Sequence, residues 1–412
     1  MCRVLQLRPF RFLWLSGLIS QVGDWLLAIA LPVYLYQATG STFATGAMFV
    51  AQSVPRVICG LAAGVLVDRW DRRRILMATD VARGLLLLGL LGVHPYDSLL
   101  LLYSVVACDS LLALFAVPAQ HAIVPAVVGE RDIATANSIR ALSWELARLG
   151  APPLGGFIFI RFGFSSIVII DSVSFFSSAV LMQRLVVQHR PAPVSQRARD
   201  RDHLLNVLWQ ELRGGLRSVF GNRRLMILCS VAAVSMLAEG IINVLGFPWL
   251  QQVLHGGALE RGWLATAQAV GGIIGGLSVP WLTHRMSYAW TIGMSGIATG
   301  VLALLLTHVT ALPVSLALYW PVALLLKGGT GAGIVGFSVG LSSLIVRDSP
   351  AGVRGRVLAL YGVSSAGAVL LGQLAASLLG DSVGVVALLS LQSVLYIVAG
   401  AITLLALPRS PA

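Results

Sequence analysis

Runs of about twenty apolar residues recur along this chain, in a composition that is 57% apolar and only 11% charged. A soluble chain of this length carries about 25% charged residues, so the deficit leaves a surface suited to lipid. Each run, wound as a helix, crosses a hydrocarbon core of about 30 Å while satisfying its own backbone hydrogen bonds. The pattern predicts twelve spans: 12–36, 44–67, 75–93, 98–121, 137–160, 165–187, 225–250, 262–282, 290–308, 314–339, 356–379 and 384–407. Short outer turns, His94-Pro95-Tyr96-Asp97 and Arg161-Phe162-Gly163-Phe164, make successive spans antiparallel neighbours.

The two halves also repeat each other. At an offset of 216, without a gap, Pro32 falls on Pro248, Gly46 on Gly262, Ala51-Gln52 on Ala267-Gln268, Gly60 on Gly276 and Arg69 on Arg285. A duplicated membrane unit is the pattern of a transporter that rocks about a central site. We therefore expect an all-α membrane protein of twelve transmembrane helices, in two six-helix bundles related by a pseudo-two-fold repeat. Residues 1–187 form the first bundle, 188–224 a cytoplasmic linker and 225–412 the second. The linker opens on a polar, Pro-containing stretch, 188–193. An amphipathic helix follows, with Leu205, Leu208, Leu212, Leu216 and Val219 on one stripe, suited to the inner interface.

A formal charge of +12 would suggest nucleic acid as a partner in a soluble protein. Here the arginines gather in the amino tail, at 69–74, at 131–140, at 184–224 and at 347–356. With the amino terminus inside, all these segments are cytoplasmic. That is the positive-inside bias, and it makes lipid rather than nucleic acid the charged partner. The four cysteines (Cys2, Cys59, Cys108, Cys229) have neither metal-ligand nor disulfide spacing and read as small fillers. No phosphate-cradling Gly-x4-Gly-Lys-[Ser/Thr] loop, His-Glu-x-x-His or haem spacing occurs. The expectation is no enzyme, no cofactor and no metal.

Against this apolar background the ionisable residues stand out. Asp24, Asp109, Glu239 and Lys327 lie near the middle of spans 1, 4, 7 and 10. A charge at that depth costs roughly 2.5–3.5 kcal/mol even on lenient insertion scales, so the four must pair or line water. Three carboxylates around one lysine can pair, take up a proton or grip a cation, and crowded carboxylates favour protonation. Arg56 in span 2 is placed to reach Asp24 or Asp171. Glu145 with Arg148, and Asp80 with Arg83, are three apart on their spans and suited to local neutralisation. Gln52 and its repeat partner Gln268 face protein or a cavity. Asn243 lies one turn beyond Glu239 and can share its site, and Trp25, beside Asp24, can stack on a substrate ring. Trp14, Trp249, Trp263 and Trp281 sit where an interfacial aromatic belt would.

Gly64-x-Leu66-x-Asp68-Arg69-x-x-Arg72-Arg73 resembles the signature loop between helices 2 and 3 of the major facilitator superfamily. The resemblance implies that the loop is a cytoplasmic gate, in which Asp68 locks the two halves in one state. A carboxylate there can meet the positive amino end of a helix. The second copy is degenerate, with Pro280 for Gly64 and His284 for Asp68. In span 5, Ser138, Ala147 and Ala151-Pro152-Pro153-Leu154-Gly155-Gly156 look like the antiporter motif of drug exporters. Val22-Gly23-Asp24-Trp25, Val117-Pro118-Ala119 and Ala136-Asn137-Ser138 are similar to the branch holding the macrolide efflux proteins and the enterobactin exporter. In the superfamily spans 1, 4, 7 and 10 line the cavity, so the resemblance places the four mid-depth charges around it. Span 4 carries Asp109 where many drug/proton antiporters carry an arginine.

The reading is then a monomeric transporter of the bacterial inner membrane with both termini cytoplasmic. It exports an amphipathic or lipophilic small molecule by alternating access, with protons as the coupling ion. Import or uniport of a small solute, and lysophospholipid flipping, are the alternatives.

Overall fold

The computed structural model describes residues 2–67, 70–92, 98–185, 213–313, 315, 318–350 and 352–407. Their helices are α1 (Cys2–Gln6), α2 (Arg8–Thr39), α3 (Thr42–Val67), α4 (Arg72–Leu88), α5 (Leu99–Val128) and α6 (Ile133–Gln183). After α7 (213–220) come α8 (Arg223–Val253), α9 (Ala258–Arg285), α10 (Tyr288–Thr307), α11 (Tyr319–Asp348), α12 (Arg354–Val383) and α13 (Val385–Ala406). No strand occurs among the described residues.

Ten of these helices are long and apolar enough to cross a membrane. One of them, α6, has 51 residues, about 76 Å at 1.5 Å per residue and too long for one crossing. It breaks at Gly163, whose φ of 79° and ψ of 177° only glycine adopts without strain. Two spans result, and α3, with 26 residues, adds another. Each of the twelve expected spans therefore has its helix. The turn expected at 161–164 forms at that glycine, while the one expected at 94–97 lies outside the described residues.

By contacts the chain groups into two compact units. Unit 1 is Met1–Thr39, Ala51–Leu204 and Ala258–Gly262; unit 2 is Gly40–Val50, Leu205–Gly257 and Trp263–Ala412. Within unit 1, α2 packs along α6, and α4 lies against α5 and α6. Within unit 2, α8 packs on α12 and α13, and α10 on α11 and α13. In span order, the first span of each unit meets the fifth and sixth, and the third meets the fourth and sixth. The internal repeat thus survives as a repeat of packing. Its paired prolines, Pro32 and Pro248, are both buried inside helices.

Small residues set how closely these helices approach, since lipid supplies no hydrophobic drive between them. A Cβ on Gly271 of α9 would overlap the carbonyl oxygen of Gly328 on α11, and one on Gly331 would overlap that of Gln268. Gly271 and Gly275 of α9 therefore form a contact face with Gly328, Gly331 and Ala332 of α11. The linker helix is described only from residue 213. There Val219 is buried with Leu225 and Leu228, while Leu216 is 40% exposed, so the predicted stripe is split between core and surface. Leu205, Leu208 and Leu212 lie outside the described residues.

Candidate functional site

Three helices of unit 1 meet at Arg83, near the middle of α4. Its Nε donates to Asp109 Oδ1 on α5 at 2.7 Å. Its Nη2 donates to Asp109 Oδ2 at 3.0 Å and to Asp24 Oδ1 on α2 at 2.9 Å. The fork to Asp109 is bidentate, the geometry that gives a guanidinium–carboxylate pair both strength and fixed orientation. Below it the guanidinium carbon lies 4.2 Å from the Phe175 ring centroid on the second half of α6. Arg83 and Asp109 are 10% and 19% exposed, whereas Asp24 is 43% exposed and keeps one side open.

More carboxylate surrounds this knot. Asp171, fully buried on α6, lies directly behind α2: a Cβ on Gly23 would clash with its Oδ1. Its Oδ1 accepts from the Ser174 hydroxyl at 3.3 Å, and its Oδ2 has no hydrogen-bond partner among the described residues. Asp80, one turn before Arg83, accepts from the Ser178 hydroxyl at 2.6 Å. Arg56 on α3 donates through Nε to the Ser110 hydroxyl at 3.3 Å, and Ser110 in turn donates to the Gln52 carbonyl oxygen at 2.6 Å. Asp24, Asp80, Asp109 and Asp171 therefore share one electrostatic neighbourhood with two guanidiniums, Arg83 and Arg56.

Several sequence expectations change here. Asp80 and Arg83 do not neutralise each other locally: the arginine turns to Asp24 and Asp109, which offer it three charge-assisted bonds. Arg56 makes no ion pair with Asp24 or Asp171 among the described residues, because Ser110 stands within reach of its Nε. The expected pair of Glu145 and Arg148 is present at 3.5 Å. Beside Asp109 of span 4 stands a guanidinium from α4, that of Arg83. Trp25 sits edge-on to Trp144 at 5.9 Å between centroids, its buried Nε1 without a hydrogen-bond partner among the described residues. Gly155 of the antiporter-like motif packs on Leu26, two residues past Asp24, so the motif's small side chains let α6 close on α2. In the same unit a Cβ on Gly156 would clash with the carbonyl of Ala258, and one on Gly262 with that of Pro152.

In unit 2, Glu239 on α8 accepts from the Tyr396 hydroxyl of α13 at 3.2 Å. Tyr396 is buried edge-on to Phe337, which fixes the donor. Asn243 and Gln268 are half-buried on α8 and α9, and Lys327 is half-buried on α11. Trp249 is buried rather than interfacial, its Nε1 donating to the Thr307 carbonyl at 3.1 Å.

At the loop end of α4, Asp68 and Arg69 lie outside the described residues; Gly64 belongs to the last turns of α3. The carboxylate that meets the amino end of α4 is Asp71, which accepts from the backbone N–H groups of Arg73 and Arg74 at 2.9 and 3.1 Å. Arg73 donates to the carbonyls of Met182 and Gln183 at 2.9 and 2.5 Å in the last turn of α6, where Met182 also accepts from the Leu185 N–H at 3.2 Å. The Arg72 Nε has no partner among the described residues. No cluster of metal-binding side chains occurs among the described residues.

Twelve apolar helices in two repeated units, with ionisable side chains held at mid-span, define a multi-pass membrane transporter rather than an enzyme. The Major Facilitator Superfamily profile matches residues 13–372, and the chain belongs to that superfamily. It is 24% identical over 396 residues to the multidrug efflux pump Tap of Mycolicibacterium fortuitum, covering 91% of this chain and 90% of that one. It is 27% identical over 386 residues to the enterobactin exporter EntS of Escherichia coli O1:K1, covering 89% and 85%. The solved nucleoside transporter NupG shares the fold, with a TM-score of 0.77 over 96% of this chain and 98% of that one, at 12% identity.

Proposed function

We propose that the chain exports an amphipathic or lipophilic small molecule across a bacterial inner membrane, by alternating access, in exchange for protons. The observation that carries the coupling is the imbalance around Arg83: four carboxylates share the neighbourhood of two guanidiniums. Buried like charges resist full ionisation, so this cluster is stable when it holds protons and can release them when a substrate arrives. Asp24 is the member with an open side, and Asp109 is the fixed anchor. The direction of transport is supported by the two efflux relatives, each matching over 85% or more of its own length.

The remaining roles follow from this reading. Glu239, held by Tyr396, is the second proton-coupling carboxylate, with Lys327 as its charge partner in the cycle. Arg56, Gln52, Gln268, Asn243 and Trp25 line the substrate path, and Gly64, Asp68, Arg69, Arg72 and Arg73 form the cytoplasmic gate. Pro152, Gly155 and Gly156 are the close-packed antiporter segment. The bundles 1–187 and 225–412, joined by 188–224, are the moving parts of a monomer with both termini in the cytoplasm.

The test is transport in inverted vesicles of a substrate selected by a thermal-shift screen. Asp24→Asn and Glu239→Gln abolish uptake driven by an acidic lumen while leaving protein levels unchanged. Wild-type rates in both variants refute the assigned roles. Uptake only into right-side-out vesicles makes the chain an importer, and movement of labelled lysophospholipid in liposomes makes it a flippase.

A further inference from the structure

Arg140 reads in the sequence as one more basic residue of a cytoplasmic loop. In the structure it lies inside unit 1, half-buried seven residues into α6. It borders a small open cleft between α2, α5 and α6, with room inside for little more than one polar group. Its Nη2 donates to Gln120 Oε1 at 3.3 Å and its Nη1 to the Gln120 carbonyl at 3.5 Å. Both are long bonds to neutral oxygens. Among the described residues no carboxylate lies within ion-pair distance of Arg140. The titratable neighbour it interacts with is His121, another base.

The rest of the cleft wall suits a flat, polar-edged ligand. Trp14 is fixed by its Nε1 donating to the Ser143 hydroxyl at 2.7 Å, which presents the indole at the cleft. Gln21 comes from the same helix, one turn before Asp24 and Trp25. A guanidinium withdrawn from water without a counter-charge is costly, and a guanidinium with free donors is the group of choice for a planar oxyanion. Arg83 and Arg148 meet carboxylates and Arg56 a hydroxyl, whereas Arg140 has a single side-chain amide and a backbone carbonyl.

We propose that the cleft at Arg140 is a binding subsite for organic anions, in which the guanidinium takes a carboxylate, phenolate or phosphate oxygen and Trp14 stacks on the attached ring. It deepens the export reading by naming the substrate class, and one turn of α2 separates Gln21 from the carboxylate cluster. The same chemistry is offered by the headgroup of an anionic lipid.

The experiment is equilibrium binding by fluorescence anisotropy, which reads the subsite whether or not the chain moves protons or exports. Purified protein in phosphatidylcholine nanodiscs is titrated with two planar dyes, anionic carboxyfluorescein and cationic rhodamine 6G. Losing a charge-assisted bond of about 1.5–3 kcal/mol corresponds to a roughly tenfold to hundredfold loss of affinity. Arg140→Gln weakens carboxyfluorescein by at least about tenfold and rhodamine 6G by less than about twofold, while Arg140→Lys recovers most of the loss. Trp14→Leu weakens both dyes together. Competition by added phosphatidylglycerol in the wild type, absent in Arg140→Gln, assigns the subsite to a lipid headgroup. Equal weakening of both dyes by Arg140→Gln, or no binding of carboxyfluorescein by the wild type, overturns the proposal.

Discussion

Replacing Arg83 by methionine tests the polar core of unit 1. The substitution keeps an unbranched side chain of similar reach and removes three hydrogen bonds, two to Asp109 and one to Asp24. The two carboxylates are then left facing each other. Removing one member of a buried pair costs about 3–5 kcal/mol, because the charge left behind has neither water nor partner. Exposure apportions that cost. Asp109 is 19% exposed and bears most of it, whereas Asp24 is 43% exposed and its share is screened by water. Arg83→Met is therefore expected to lose about 3–5 kcal/mol of stability. Adding Asp109→Asn restores most of that loss, and adding Asp24→Asn restores less. Arg83→Lys falls between, since an ammonium cannot make the fork to Asp109. Unfolding by SDS titration in mixed micelles, followed by tryptophan fluorescence, gives the free energies. Stability of Arg83→Met within about 1 kcal/mol of wild type, or a larger rescue by Asp24→Asn than by Asp109→Asn, refutes the reasoning.

Three smaller perturbations follow from local geometry. Gly23→Ala drives a methyl into Asp171 and is expected to cost about 1–3 kcal/mol in the same SDS titration, where a silent substitution would show that α2 and α6 are not closely apposed. Gly163→Ala places a side chain at a φ of 79° and should cost about 1–3 kcal/mol, while Gly150→Ala, with open space around its Cβ, should cost nothing measurable. Asp71→Ala removes the cap on α4 and should cost about 1 kcal/mol, with Asp71→Asn retaining most of it; equal losses would mean that the cap bond is not what matters.

Much of the fold was legible because each span carries its own signal. Apolar length, the 216-residue offset and the short turns give twelve helices and their repeat without any tertiary information. The same reasoning found Asp24, Asp109 and Glu239, since a carboxylate in an apolar run needs no neighbour to look out of place. It misassigned Arg83, because i,i+3 spacing makes Asp80 the obvious partner. The partners chosen lie 59 and 26 residues away, and only the packing of α2, α4 and α5 reveals them. Asp171 was named only as a possible reach for Arg56, and its place behind Gly23 has no local signature. The Ser110 and Ser178 hydroxyls, which take Arg56 and Asp80, are ordinary small residues in a membrane helix until a charge is placed beside them. Arg140 was misread for a related reason. A basic residue near a helix end looks topogenic, and only the structure shows that, among the described residues, no carboxylate lies within ion-pair distance of it.

The claim that a proton leaves the carboxylate cluster when substrate arrives is tested most directly by proton release on binding. Purified protein in lightly buffered detergent, with a pH indicator, is mixed with the substrate chosen by the thermal-shift screen. Wild type is expected to acidify the solution in proportion to occupancy, and Asp24→Asn with Glu239→Gln to bind without doing so. Binding by wild type with no release, or equal release from the double variant, contradicts the account.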